Sequence, residues 1–171
     1  TFLLTVNAVN TPPTISNIAD QTVDEDAGTG ALAFTVGDSE TAAASLVATG
    51  ASSNTTLVPL ANIAFGGSGA SRTVTVTPAA NQSGTATITV TVSDGSLTAQ
   101  DTIVLTVNAV NDAPTIGNVA DQTLYDNGPT GALAFAVGDT ETAAGSLTVS
   151  GASSNTTLVP AAGIVCAGSG A

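Results

Sequence analysis

Apolar and polar residues alternate with a period of two along several stretches of the chain, which is the pattern of β-strands with one buried face. The clearest stretch is Thr85–Val92, where every second residue is threonine. Its apolar positions should face a core, and its threonines should face solvent. The stretch Thr98–Val107 has the same alternation, and Asp94-Gly95 between the two stretches is a strong hairpin signal.

The same reasoning predicts seven strands in about a hundred residues, which favours an all-β fold: a seven-stranded antiparallel Greek-key β-sandwich. No stretch has the pattern of an amphipathic helix. The predicted strands are 14–23 (split at 19–20), 30–36, 45–49, 57–65, 72–77, 85–92 and 98–107. The predicted core consists of Phe34, Leu46, Leu57, Ile63, Val74, Val76, Ile88, Val90, Val92, Ile103 and Leu105.

The sequence repeats itself. Residues 107–116, Val-Asn-Ala-Val-Asn-Asp-Ala-Pro-Thr-Ile, match residues 6–15 at an offset of 101 positions, and most of the aligned residues elsewhere are identical. A period of this length is that of tandem domains and not of solenoid repeats. We therefore expect three pieces: a closing strand of a preceding repeat at 1–10, a complete repeat at 11–111, and the first part of the next, truncated repeat at 112–171.

The charge balance excludes several functions. Thirteen acidic residues face one cation, Arg72, and the net charge is −12. Nothing in the chain could neutralise the phosphates of a nucleic acid, and an anionic membrane surface is an equally poor partner. No apolar run is long enough for membrane insertion. An enzyme is not expected, because the chain has no histidine or lysine and no nucleophile elbow or phosphate loop.

The single cysteine, Cys166, stands where the first repeat has Phe65. We expect a buried thiol that packs as a small apolar side chain. An intermolecular disulfide is the alternative.

Three motifs and the 101-residue period together resemble bacterial cadherin-like, immunoglobulin-like tandem repeats. The motifs are Val-Asn-Asp-Ala-Pro at 110–114, Asp-Glu-Asp at 24–26, and the stretch 81–95 that ends in Ser-Asp-Gly. The resemblance covers the whole chain and implies a cell-surface or secreted location. It also implies that the repeats serve as stalks or adhesive extensions, and that related cadherin-type modules bind calcium at their junctions.

The acidic residues fall mostly in predicted turns and linkers, where they have two explanations. They could simply keep a chain without lysine soluble. Alternatively, they could bind calcium, a hard cation that takes six to eight oxygen ligands. Zinc or copper would need histidine or cysteine clusters.

For calcium, the best predicted site is the junction between the two repeats, as in the cadherin arrangement that the sequence resembles. Its candidate ligands are Asp24, Glu25, Asp26, Asn111, Asp112, Asp139 and Glu141. A second, weaker candidate set is Asp38, Glu40 and Asp94.

The leading functional hypothesis is a non-catalytic structural module of a large extracellular surface protein, adhesin, stalk or filament. Its partners would be the adjacent repeats of the same chain and like molecules in a fibre, in which strand exchange would be one possible contact. The alternative is an adhesive domain that binds a glycan or a protein. Sugar binding usually needs exposed aromatic side chains, and only 3% of the residues are aromatic.

Overall fold

The structure is a computed structural model that describes residues 1–6, 9–125 and 128–168. It divides into two compact units, Thr1–Val110 and Asn111–Ala171, and each is described by itself below. Parts of the predicted segments 1–10 and 112–171 lie outside the described residues: Asn7, Ala8, Asp126, Asn127 and residues 169–171. No helix among the described residues has the length and apolarity to span a membrane.

Unit 1 consists of two four-stranded sheets. One sheet has the order β1-β3-β6-β5 and the other has the order β2-β8-β7-β4. The strands are β1 (Thr14–Ile15), β2 (Gln21–Asp24), β3 (Leu32–Gly37), β4 (Val47–Ser52), β5 (Ile63–Ser68), β6 (Ser71–Val76), β7 (Gly84–Ser93) and β8 (Thr98–Asn108). Short 3₁₀ helices at Ala43–Ser45 and Leu60–Asn62 precede β4 and β5.

The predicted core is confirmed, because each of its eleven side chains is buried. Strand β7 shows why the pattern was informative: Ile88, Val90 and Val92 are completely buried, whereas the threonines between them are partly exposed. The alternation also holds along β8. Five further core side chains, Ile18, Val36, Val58, Ala86 and Val107, were not on the predicted list.

The prediction of a purely antiparallel sandwich was wrong in one place, because β2 pairs with β8 in parallel. The chain crosses from one sheet to the other between β1 and β2, and β2 then runs in the same direction as the last strand. Two carboxylates hold this crossing. Asp101 Oδ2 accepts a hydrogen bond from Ile18 N at 2.6 Å, and Asp20 Oδ1 accepts one from Val104 N at 2.8 Å.

Arg72 also has a structural place in unit 1. Its Nε donates to Gly69 O at 2.8 Å, and its Nη2 donates to Ala43 O at 3.0 Å and to Leu46 O at 3.1 Å. The guanidinium therefore ties β6 to the connection that precedes β4.

Within its described residues, unit 2 contains two short strands, β9 (Thr115–Ile116) and β10 (Val137–Gly138), and 3₁₀ helices at Ala144–Ser146 and Ala161–Gly163. The register of β9 and β10 repeats that of β1 and β3. Cys166 is exposed, so the expectation of a buried thiol was wrong. Its side chain lines an open cavity of about 240 Å³ in unit 2, together with Phe135 and Leu147.

Candidate metal centre

The acidic triplet Asp24-Glu25-Asp26 lies where β2 ends, and its first two residues hold the end of β8. Asp24 Oδ1 accepts a hydrogen bond from Asn108 Nδ2 at 3.1 Å. Glu25 Oε1 accepts one from Val110 N at 2.6 Å, and Glu25 N donates to Asn108 O at 2.9 Å. Glu25 is only 8% exposed. Its carboxylate therefore fixes the backbone where unit 1 ends.

Asp26, the third member of the triplet, serves a different contact. It has a left-handed backbone conformation, with φ of 63°. Its Oδ1 accepts a hydrogen bond from Asn81 N at 3.0 Å, in the loop between β6 and β7. The three consecutive carboxylates thus accept hydrogen bonds from three different donors: one side-chain amide and two backbone amides.

The second candidate set, Asp38, Glu40 and Asp94, gathers around residues 10 and 11. Glu40 Oε2 accepts hydrogen bonds from Thr11 N at 3.0 Å and from Thr11 Oγ1 at 2.7 Å. Asp94 Oδ2 accepts one from Asn10 Nδ2 at 2.8 Å. Since Asn10 and Thr11 are neighbours in the sequence, Glu40 and Asp94 lie at the same end of unit 1.

Asp38 shapes the turn that carries Glu40. Its Oδ1 accepts hydrogen bonds from Glu40 N at 2.8 Å and from Thr41 N at 2.6 Å. Its other oxygen, Oδ2, is buried and has no hydrogen-bond partner among the described residues. A buried carboxylate oxygen without a partner is costly, since ionised oxygens are normally satisfied by donors or by a cation.

Unit 2 repeats this turn with four of the predicted junction residues. Asp139 Oδ1 accepts hydrogen bonds from Glu141 N at 3.1 Å and from Thr142 N at 2.6 Å. Glu141 Oε2 accepts one from Asp112 N at 2.9 Å, and Asn111 Nδ2 donates to Asp112 O at 2.8 Å. Asn111, Asp112, Asp139 and Glu141 therefore belong to one local arrangement.

Within either unit, the described residues include no group of three or more Asp, Glu, His or Cys side chains that could hold a metal ion as they stand. The predicted junction set takes residues from both units: Asp24, Glu25 and Asp26 from unit 1, and Asn111, Asp112, Asp139 and Glu141 from unit 2. Its use as a calcium site stays a prediction.

Comparison with known proteins identifies the family. Residues 10–108 match the family model of the bacterial Ig domain. The chain belongs to the bacterial Ig domain family. Domains of this family are typically non-catalytic and commonly surface-exposed. No curated protein sequence matches the chain significantly.

Several solved structures are similar to this bacterial Ig chain at low sequence identity. The complex of titin M10 with the obscurin-like 1 Ig domain is 17% identical with a TM-score of 0.43, over 58% of this chain and 96% of that one. Titin M4 in its trigonal form is 15% identical with a TM-score of 0.44, over 59% of this chain and 100% of that one. The titin I-band fragment I67–I69 is 16% identical with a TM-score of 0.43, over 63% of this chain and 35% of that one.

The bacterial Ig unit contains hydrogen bonds at the candidate site residues that the sequence did not reveal. The hydrogen bond of Glu25 to Val110 and that of Glu40 to Thr11 join residues that lie 85 and 29 positions apart. The sequence pattern did correctly predict that these two acidic residues lie in turns and not in strands. Nothing in the local pattern indicated that each would accept a hydrogen bond from a linker amide.

A pH dependence of stability is expected at Asp94 in this bacterial Ig chain. Hydrogen bonds from Leu97 N, then from Asn10 Nδ2 and Ser96 N, lower the pKa of Asp94 below its ordinary value of 3.8. A lowered folded-state pKa means that these bonds contribute stability above pH 3.8 and lose that contribution as the pH falls through the folded-state pKa.

An NMR titration of the Asp94 carboxyl carbon should therefore have its midpoint below 3.8, and Asn10→Ala should raise that midpoint. Asn108→Ala is the matched control, because Asn108 donates to Asp24 instead. A midpoint that is unchanged by Asn10→Ala would contradict the hydrogen bond between Asn10 and Asp94.

Proposed function

We propose that this chain is a non-catalytic structural module of a large extracellular surface protein: an adhesin, stalk or filament. The module is one of a series of tandem Greek-key sandwiches, and calcium stiffens the joint between successive sandwiches. The observation that carries the proposal is the use of carboxylates along the linker. Glu25 Oε1 accepts a hydrogen bond from Val110 N at 2.6 Å, and Glu141 Oε2 accepts one from Asp112 N at 2.9 Å.

These two amides are two residues apart in the sequence: Glu25 binds the last residue of unit 1, and Glu141 binds a residue at the start of unit 2. Asp112 and Asn111 add a carboxylate and an amide oxygen on the same stretch. A hydrogen-bonded carboxylate still has free lone pairs for a cation. Calcium takes carboxylate, amide and backbone oxygens in a flexible geometry, which suits such a donor set.

The charge of the chain supports the same role. A net charge of −12 without lysine or histidine means that clustered carboxylates have almost no cationic side chains nearby to offset their repulsion. A divalent cation would remove that repulsion at the linker. The buried, unpartnered Oδ2 of Asp38 supports a second, weaker position with Glu40 and Asp94, where Thr11 replaces the aspartate of the first site.

Calcium titration of the full chain by isothermal calorimetry tests the proposal. We expect saturable binding with a dissociation constant of about 10⁻⁴–10⁻³ M, the range of extracellular calcium modules. Asp112→Ala should weaken it about tenfold or more, since it removes one charged ligand. Asp121→Ala is the matched control: Asp121 is exposed and lies outside both candidate sets.

The absence of a heat of calcium binding, or equal calcium binding by the parent and by Asp112→Ala, would contradict a junction site. In that case the acidic residues would serve solubility alone. Magnesium provides a second comparison. Because it requires a compact octahedral shell, it should bind a set of hydrogen-bonded carboxylates more weakly than calcium does.

A further inference from the structure

Three stretches of the chain have the sequence Asn-X-Ser/Thr with X other than proline, which is the acceptor motif for N-linked sugars. They begin at Asn54, Asn81 and Asn155. The motif is only three residues long, and the sequence alone does not distinguish the three copies. Their hydrogen bonds do.

The first copy, Asn54-Thr55-Thr56, is held in a closed turn. Asn54 Oδ1 accepts a hydrogen bond from Leu57 N at 3.1 Å, and Asn54 O accepts one from Val58 N at 2.8 Å. Asn54 N donates to Ser52 Oγ at 3.2 Å, and the residue is only partly exposed. An enzyme that acts on the Asn54 amide would first have to break this turn.

The third copy, which begins at Asn155, forms the same turn in unit 2. Asn155 Oδ1 accepts a hydrogen bond from Leu158 N at 3.0 Å, and Asn155 O accepts one from Val159 N at 2.9 Å. Asn155 N donates to Ser153 Oγ at 3.1 Å. The turn is therefore a property of the repeated sequence, and it restrains both copies in the same way.

The second copy, Asn81-Gln82-Ser83, lies in the loop between β6 and β7, and both Asn81 and Ser83 are exposed. Asn81 has a left-handed backbone conformation, with φ of 54°. Its backbone is anchored, since Asn81 N donates to Asp26 Oδ1 at 3.0 Å and Asn81 O accepts from Gln82 Nε2 at 2.9 Å.

The reactive groups of this second copy are free. Within the described part of the chain, no hydrogen bond engages the side-chain amide of Asn81 or the hydroxyl of Ser83. Loop segments with few hydrogen bonds open at low free-energy cost, so this motif can enter an active site while the sandwich stays folded. Exposure also leaves room for a bulky sugar.

We infer that Asn81 is the acceptor of an N-linked sugar, donated by a sugar nucleotide and transferred by an enzyme of the cell that makes the chain. Asn81 Nδ2 forms a bond to the anomeric carbon of the sugar, and the bond from that carbon to the phosphate oxygen breaks. The nucleoside diphosphate leaves with the electron pair, and the amide proton passes to a base of the transferase. The inference rests on the surface location in the proposed function and not on calcium.

Transfer to the folded full chain tests the inference. The chain is incubated with UDP-glucose and a soluble N-glycosyltransferase, and intact-mass spectrometry and peptide mapping follow the product. We expect one hexose per chain, located at Asn81. Asn81→Gly should abolish the transfer and keep the fold, because glycine adopts a positive φ freely.

Ser83 provides the more specific variants. Ser83→Ala removes the hydroxyl that defines the motif and should lower the transfer rate about a hundredfold or more, since a site built to bind a hydroxyl rejects an analogue that lacks it. Ser83→Thr should retain the transfer, because the motif accepts either hydroxyl residue. Asn54→Gln is the matched control and should leave the yield at Asn81 unchanged.

Three results would overturn the inference: no hexose on the parent chain, equal occupancy of Asn54 and Asn81, or transfer that survives Ser83→Ala. Ser83 is exposed, so its replacement should leave the circular dichroism spectrum unchanged. Neither Asn81 nor Ser83 belongs to the candidate calcium ligands. Failure of sugar transfer therefore leaves the calcium titration of the proposed function unaffected, and failure of that titration leaves sugar transfer unaffected.

Discussion

Replacing Phe34 by alanine is expected to lower the free energy of unfolding of unit 1 by about 3–5 kcal/mol, the range for truncating a buried phenylalanine. Phe34 is 3% exposed and belongs to the single core cluster formed by both sheets. The aromatic content of the chain is only 3%, so few other side chains of this volume could fill the cavity. Urea unfolding followed by circular dichroism measures the change.

Thr35→Ala is the control for Phe34→Ala. Thr35 is the next residue of β3 and is exposed on the opposite face of its sheet. Its replacement should change stability by less than about 0.5 kcal/mol, as is usual for surface positions. If both variants lose similar stability, the register of β3 is wrong by one residue.

Replacing Gly67 by alanine should have the second largest effect, a loss of about 2–5 kcal/mol, because a left-handed conformation and a backbone clash add together. Gly67 has φ of +82°, and a Cβ there would lie 2.8 Å from Arg72 Cα and even closer to Ser71 O. Both neighbours are backbone atoms of β6, to which β5 is paired, so neither can move without breaking the ladder.

Gly69→Ala separates the two contributions in the same hairpin. Gly69 also has a positive φ of +57°, but a Cβ there meets nothing within 4 Å. Only the conformational cost remains, about 1–2 kcal/mol. In thermal unfolding, the midpoint temperature of Gly67→Ala should therefore be clearly lower than that of Gly69→Ala. An equal loss would mean that β5 and β6 do not approach each other as closely as the structure shows.

The period-two pattern predicted the strands and their buried faces well, because each half-buried strand records its environment in its own sequence. Strand β7 is the best example, with alternate residues completely buried. The glycine-rich hairpin was predicted less well. The predicted strands ended at residue 65 and resumed at residue 72, but β5 continues through Ser68, and the ladder with β6 includes Gly66 and Gly67. Gly67 is required by its left-handed backbone conformation and by the close approach of β6, and not by flexibility.

The parallel pairing of β2 with β8 could not be predicted from local patterns. It joins residues 84 positions apart, and the pattern of a short four-residue strand is the same in either direction. The hydrogen bond of Asp101 to Ile18 N, 83 positions away, is equally invisible in the sequence. Such contacts depend on which sheet the chain enters after it crosses.

The candidate site was predicted at the level of residue placement only. Asp38, Glu40 and Asp139 were correctly assigned to turns, where aspartate oxygens accept amide hydrogen bonds. The Asp-Glu-Asp triplet suggested one cluster, yet Glu25 is buried and Asp26 has a positive φ. Successive residues of an extended strand point in opposite directions, and Asp26 has a left-handed backbone conformation, so the three side chains contact different donors. Composition alone does not show this.

The distance between two spin labels, one in each unit, tests the calcium-stiffened joint most directly. Ser96→Cys in unit 1 and Thr148→Cys in unit 2 are exposed positions outside the candidate sites, and Cys166→Ser removes the native thiol. Pulsed electron paramagnetic resonance should give a broad distance distribution in chelator and a narrow one in calcium, and Asp112→Ala should keep the distribution broad in both. Distributions of equal width with and without calcium would contradict a joint that calcium stiffens.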